Sequence, residues 1–198
     1  FMSSSKDSSE LAQSFWDSDT EGKQHQTEPD DLALFGTVTT DADVVRLRDQ
    51  LEKAHMSQLL RLSPETRVLD LGGGAGRIAL WLAPKVGQVT VVDASRELLD
   101  VAERMARQRG IENLTVHHTS ALDFDGEGRY DVVLGLNIAC HLREDELDRL
   151  AEVCAQAAKP DGIVLLKDPI TTDCVAREDQ RGSDYQCFFR PRELYLER

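Results

Sequence analysis

Five short apolar runs punctuate the chain, at residues 68–71, 89–92, 114–116, 132–136 and 163–166. Each is continuous instead of alternating, the pattern of strands covered on both faces. Between them lie segments with helical spacing. In "SRELLDVAERMARQRG", Ser95 is placed to cap, Leu98, Val101, Ala102 and Met105 form a stripe, and Gly110 ends the helix. In "REDELDRLAEVCAQAAKPDG", Leu147, Leu150, Ala151 and Cys154 share a side and Pro160-Asp161-Gly162 makes a turn. Upstream, "DADVVRLRDQLEKAHMSQLLR" reads as an amphipathic helix with Val44, Leu47, Leu51, Met56 and Leu59 or Leu60 on its apolar side. Strand and helix alternate, which predicts right-handed βαβ crossovers and an α/β fold. That fold is a doubly wound, mainly parallel sheet with helices on both faces, its ligand outside the carboxyl ends of the strands.

The first run leads into "VLDLGGGAGR", four glycines among five positions where glycine costs backbone entropy. Such a loop makes sense if another molecule approaches the backbone. Counted from Gly72, the sixth position is Arg77, so the G-x-G-x-x-G dinucleotide spacing fails. The pattern is instead Asp70-x-Gly72-x-Gly74-x-Gly76. An acid before the loop suits a ligand with a cationic group, and glycines suit close approach.

Charge narrows the partner. Lys and Arg number 23 against 36 Asp and Glu, a net charge of -13, which argues against nucleic acid or an anionic membrane surface as a tight partner. Residues 1–31 hold eight acids and two bases. This stretch reads as an acidic, flexible tail in which Phe15 and Trp16 either fold back as a lid or pin the tail to the core. Residues 32–198 then form one domain, with room for a sizeable core. Cys140, Cys154, Cys174 and Cys187 form no C-x-x-C pair and show no zinc-ligand spacing with histidines, so they read as reduced thiols and no metal is expected. With neither a secretory pattern nor a membrane span, the expected location is the cytoplasm.

"VLDLGGGAGRIAL" followed by "VTVVDAS", "LTVHHTSALDF", "YDVVLGLNIACHL" and "KPDGIVLLKDP" resembles the class I S-adenosylmethionine-dependent methyltransferases over roughly residues 65–169. The resemblance implies a Rossmann-like methyltransferase fold, S-adenosyl-L-methionine as cofactor and S-adenosyl-L-homocysteine as product. It implies that Asp70 and the backbone of Gly72, Gly73, Gly74 and Gly76 hold the methionyl part, and that Asp93, with Ala94 beside it, binds the ribose hydroxyls. An acid about 20 residues past the first glycine also binds ribose in dinucleotide proteins. Ala121 and Leu122 would wall the adenine. Ser120 stands where a common variant of the family has an acid, and Asn137 follows the fourth strand. Members of the family usually add two terminal strands. Only five strands can be counted here, so the sheet is expected to lack its terminal strands: either the sequence is a fragment of a longer chain, or self-association or a partner chain covers the exposed edge.

Methyl transfer from a sulfonium is an in-line displacement, so the protein mainly positions the acceptor. A base is needed only for an acceptor that carries a proton. Asn137 and His141 past the fourth strand and Asp168 past the fifth are the catalytic candidates. Of His117 and His118, one is expected to point inward as a core residue. "CHL" and "IVLLKDP" are similar to the protein N-terminal methyltransferases, whereas "REDQRGSDYQCFFRPRELYLER" looks more like small-molecule methyltransferases. The expected activity is therefore methyl transfer to a small-molecule N or O acceptor. The alternatives are a protein N-terminal methyltransferase-like enzyme and a non-catalytic cofactor-binding scaffold subunit; a dehydrogenase is disfavoured by the glycine spacing.

Overall fold

A computed structural model describes residues 13, 15–17, 41–172, 177–180 and 186–196, with backbone alone at 177–180 and 186. The elements run α1 (Ala42–Leu59), β1 (Arg67–Leu71), α2 (Arg77–Leu82), β2 (Gln88–Asp93), α3 (Arg96–Gln108), β3 (Leu114–His118), β4 (Tyr130–Leu136), α4 (Glu144–Ala157), β5 (Ala158–Lys167), β6 (Arg177–Gln180), β7 (Gln186–Phe189) and α5 (Glu193–Leu196). The expected sheet is present. Strands β3-β2-β1-β4-β5 pair in parallel in that order. The chain order reverses between β1 and β4, the crevice where doubly wound sheets bind ligands.

Helices cover both faces. Leu69 and Leu71 of β1 pack with Leu147, Leu150 and Val153 of α4. Val68, one residue away and on the opposite face, packs with Met56 of α1 and with Ile78 and Leu82 of α2. The three inner strands are buried along nearly their whole length, as their continuous apolar runs require. The outer strands β3 and β5 are not, and Ile163, Val164 and Leu166 of β5 stay exposed. As β3 is an edge strand, His117 and His118 are both exposed, and neither is the core residue expected from the sequence.

Three further readings change. The apolar stripe of α1 faces outward, with Val44, Leu47, Leu51 and Leu59 about half exposed, while Val45 and Met56 are buried. The docked face is Val45, Asp49, Glu52, Lys53 and Met56, at helical spacing, because Asp49 and Glu52 bind Arg77 at 2.5 and 2.7 Å and Lys167 reaches Glu52 at 3.0 Å. Residues 159–162 do not separate α4 from the strand: Ala158 already pairs with Tyr130, and Ile163 with Val132, so the Pro-Asp-Gly turn is a bulge inside β5. The terminal region also holds two strands not counted from the sequence. β6 and β7 form an antiparallel hairpin outside the main sheet, joined to the rest by a bridge between Ile170 and Arg190. The boundary expected at residue 31 lies outside the described residues.

Candidate active site

The glycine loop leaves β1 and is tied at once to β2: the amides of Gly72 and Gly73 both donate to the carbonyl of Val92, at 2.8 and 3.2 Å. Gly74 adopts φ +52°, and a Cβ on Gly73 would lie 2.8 Å from the Asp70 carboxyl and from Val91. Only glycine fits this close approach of backbone to an acid. Gly76 has a different role from the expected one. It is the left-handed N-cap of α2, and a Cβ there would meet Ala102 of α3 at 3.0 Å, so it sets helix packing and does not line the cleft.

Asp93 ends β2 at the rim of the cleft. One carboxylate oxygen accepts the amide of Gly74 at 2.8 Å and the other accepts that of Ser95 at 2.8 Å. Ser95 caps α3 as expected, accepting the amide of Leu98, and its hydroxyl donates to Asp17. Burial raises the pKa of Asp93 above its ordinary value, opposed by the two amides. Asp70 lies deeper, 2% exposed, and its carboxyl accepts no hydrogen bond among the described residues. Burial raises its pKa from 3.8 to about 7, with the Arg77 guanidinium opposing and the Asp93 and Glu52 carboxylates adding. A buried acid without a hydrogen-bond donor, facing the cleft, is suited to a cationic group.

The opposite wall comes from the ends of β3 and β4. Ser120, Ala121, Leu122 and Asn137 line the cleft together with Asp70, Gly72, Gly73, Gly74, Asp93 and Ala94, so of the expected cofactor residues only Gly76 stands apart. The Ser120 hydroxyl accepts the amide of Leu122 at 3.2 Å and shapes this turn. Asn137 has φ +58°, a conformation sparsely populated by non-glycine residues and common at functional sites, and its amide donates to the carbonyl of Lys167 at 2.6 Å.

Of the three catalytic candidates, Asn137 and His141 reach the cleft. Asp168 does not. Its carboxylate accepts the amide of Cys140 at 2.8 Å and so supports the turn that carries His141, while burial raises its pKa. The sequence left the role of Trp16 open. Its ring now lines the cleft and meets the His141 ring edge-on at 5.8 Å, next to Phe15. Gln13, Arg77 and Leu98 also line the cleft and were not anticipated. Arg77 directly follows the glycines, and that adjacency was the available signal. Tyr185, in the stretch likened to small-molecule methyltransferases, lies outside the described residues. No helix among the described residues is long and apolar enough to cross a membrane.

Residues 68–162 match the family model described as a methyltransferase domain. The chain is 37% identical over 106 residues to an uncharacterized methyltransferase, YcgJ, of Bacillus subtilis, covering 52% of this chain and 41% of that protein. It is 31% identical over 120 residues to N-terminal Xaa-Pro-Lys N-methyltransferase 1-B of Xenopus laevis, covering 60% of this chain and 54% of that one. The chain thus spans about half the length of these curated relatives. In fold it is similar to the solved DhpI–SAH complex, with a TM-score of 0.68, 20% identity and coverage of 95% of this chain and 83% of the other. The matched segment contains both the glycine loop and Asp93, and over it the chain is similar to methyltransferase domains.

Proposed function

We propose that the chain transfers a methyl group from S-adenosyl-L-methionine to a nitrogen or oxygen of a small molecule. The observation that carries the cofactor reading is the arrangement of Asp70 and Asp93 around one glycine loop. Asp70 sits below the loop with no hydrogen-bond donor, suited to the methionyl ammonium. Asp93 sits at the rim, each oxygen holding one backbone amide and keeping a lone pair for a ribose hydroxyl. Ala121 and Leu122 form an apolar wall where the adenine would lie, and with no acid at position 120 its edge would be read by backbone groups or Asp123.

The cofactor supplies the electrophilic methyl; the chain aligns the acceptor. With the methionyl end held by the loop, the sulfonium methyl would point toward the ends of β4 and β5. There Asn137, held at positive φ, offers an amide to orient the acceptor, and His141 a ring nitrogen to take its proton. Trp16 narrows this mouth, which favours a small acceptor over an extended chain.

The second reading, a protein N-terminal amine as acceptor, is favoured by the identity to the Xenopus enzyme. Calorimetry against S-adenosylhomocysteine and NAD tests the cofactor. Transfer of labelled methyl to a panel of small amines, phenols and carboxylates, beside peptides with free N-termini, tests the acceptor. Binding of NAD instead of S-adenosylhomocysteine would overturn the cofactor reading. Transfer to peptides alone would replace the small-molecule acceptor, and cofactor binding without transfer to anything would leave a scaffold.

A further inference from the structure

Behind the acceptor mouth, the fold gathers three metal-binding side chains from distant parts of the sequence. Cys140 and His141 lie in the 3-10 turn Ala139–His141 that follows β4, and Cys187 lies on β7. The Cys140 Sγ, the His141 Nε2 and the Cys187 Sγ all lie within 4.8 Å of one another. We propose that Cys140, His141 and Cys187 form a zinc site, three ligands among the described residues, of which His141 also lines the acceptor cleft.

The first support is geometric. Zinc binds thiolate at ~2.3 Å and imidazole at ~2.0 Å in a tetrahedron, which places sulfur and nitrogen ligands about 3.5 Å apart. Cys140 Sγ and His141 Nε2 are 3.6 Å apart, so this pair is already at ligand spacing. The Cys187 thiol is close enough to share a hydrogen bond with that of Cys140.

Charge and support agree. Zinc with two thiolates and a neutral imidazole carries no net charge, which suits a site where both cysteines are buried. On binding, both thiols give their protons to solvent and no redox change is needed. The turn is held from two sides: Asp168 accepts the Cys140 amide at 2.8 Å, and the buried Arg190 donates to the carbonyls of Ala139 and Leu142 at 2.9 and 2.5 Å. Such outer contacts fix the orientation of metal ligands.

Both sulfurs are buried, and of the three ligands His141 is the one that lines the cleft. Zinc lowers the pKa of what it binds. An acceptor hydroxyl reaching the metal from the cleft would give its proton to solvent and be held as its anion, with the metal in place of a free His141 nitrogen taking the part of the base; this step alone rests on the methyltransferase reading.

The test uses the full chain, stripped with chelator and kept under a non-thiol reductant, then titrated with Co²⁺ and afterwards Zn²⁺. The expected result is one cobalt per chain with a thiolate-to-cobalt charge-transfer band and the d–d bands of a tetrahedral ion, lost when zinc is added. Cys187→Ser should weaken cobalt binding at least ~100-fold, since even outer contacts of metal ligands are worth up to that. If that variant fails a thermal-unfolding check, His141→Gln, on the cleft wall, must weaken binding and shift the d–d bands. The site is overturned if the reduced chain shows no charge-transfer band, if Cys187→Ser binds cobalt as tightly as the parent and with a band of the same intensity, or if Cys140 and Cys187 are found only as a disulfide that no metal replaces. Calorimetry with S-adenosylhomocysteine on the same samples separates the two claims, because cofactor binding without cobalt binding sinks the metal site alone.

Discussion

The Asp93 carboxylate bridges the amides of Gly74 and Ser95, each at 2.8 Å, and so ties the glycine loop to the start of α3. One acid at the end of one strand fixes both sides of the cleft rim. The ligand it faces is therefore met by a preformed surface.

Asp93→Ala should weaken S-adenosylhomocysteine binding by roughly 1.5 to 3 kcal/mol, the range for hydrogen bonds to a charged group. Asp93→Asn should lose less, since its amide oxygen still accepts one backbone bond. Calorimetry on both variants checks this, and unchanged affinity in Asp93→Ala would rule out the ribose assignment.

Asp70 gives a pH dependence with a fixed sign. Its folded pKa of about 7 exceeds the ordinary 3.8, so the folded state keeps a proton that the unfolded chain has lost between these values. Its contribution to stability is complete below 3.8 and disappears as pH rises through about 7. Asp70→Asn should thus raise the Tm of the unliganded chain more at pH 8 than at pH 5. If the carboxylate holds the methionyl ammonium, cofactor affinity in the parent should fall as pH drops below about 7, and Asp70→Asn should bind weakly at every pH. Calorimetry across that range decides.

Arg77 holds α1 through Asp49 and Glu52, with all three side chains at most 20% exposed. Removing one partner of a buried pair strands the other charges, so Arg77→Ala should destabilise the fold by about 3 kcal/mol or more. Urea unfolding should show it, and Asp49→Asn should recover part of the loss in the double variant. A loss below about 1 kcal/mol, the level of a surface pair, would show that the network is solvated.

Asn137→Ala should lower turnover much more than cofactor affinity, because its side chain is assigned to the acceptor. Removing an asparagine from positive φ also costs the strained turn, so Asn137→Gly, which keeps that backbone, separates the two effects. If Asn137→Gly turns over normally, the side chain has no part in positioning the acceptor.

Val44, Leu47 and Leu51 on α1 and Ile163, Val164 and Leu166 on β5 leave apolar surface exposed. The chain should self-associate as concentration rises. Leu47→Glu with Leu51→Glu should reduce this in sedimentation velocity without changing cofactor affinity. A parent that stays monomeric at high concentration would contradict the expectation.

The sequence by itself determined the parallel sheet, because a continuous apolar run bounded by turn residues has few uses besides a doubly covered strand. It also determined the loop and the two acids: glycine spacing and strand ends are local properties, and Gly72, Gly74, Asp70 and Asp93 could be read from a few neighbours. The helical period of α3 and its Ser95 cap were legible for the same reason. What α1 would bury was not legible, since Val44, Leu47 and Leu51 form the better apolar stripe, yet Asp49 and Glu52 turn it outward to meet Arg77. A hydrophobic pattern says which face is apolar; a buried guanidinium on another element decides which face is held. Only the tertiary structure moved Asp168 from the cleft to the support of Cys140, and only it brought Cys187 to Cys140 and His141. Those residues are 46 and 47 positions apart with no spacing motif between them, and their contact exists because the β6–β7 hairpin folds back over the end of β4.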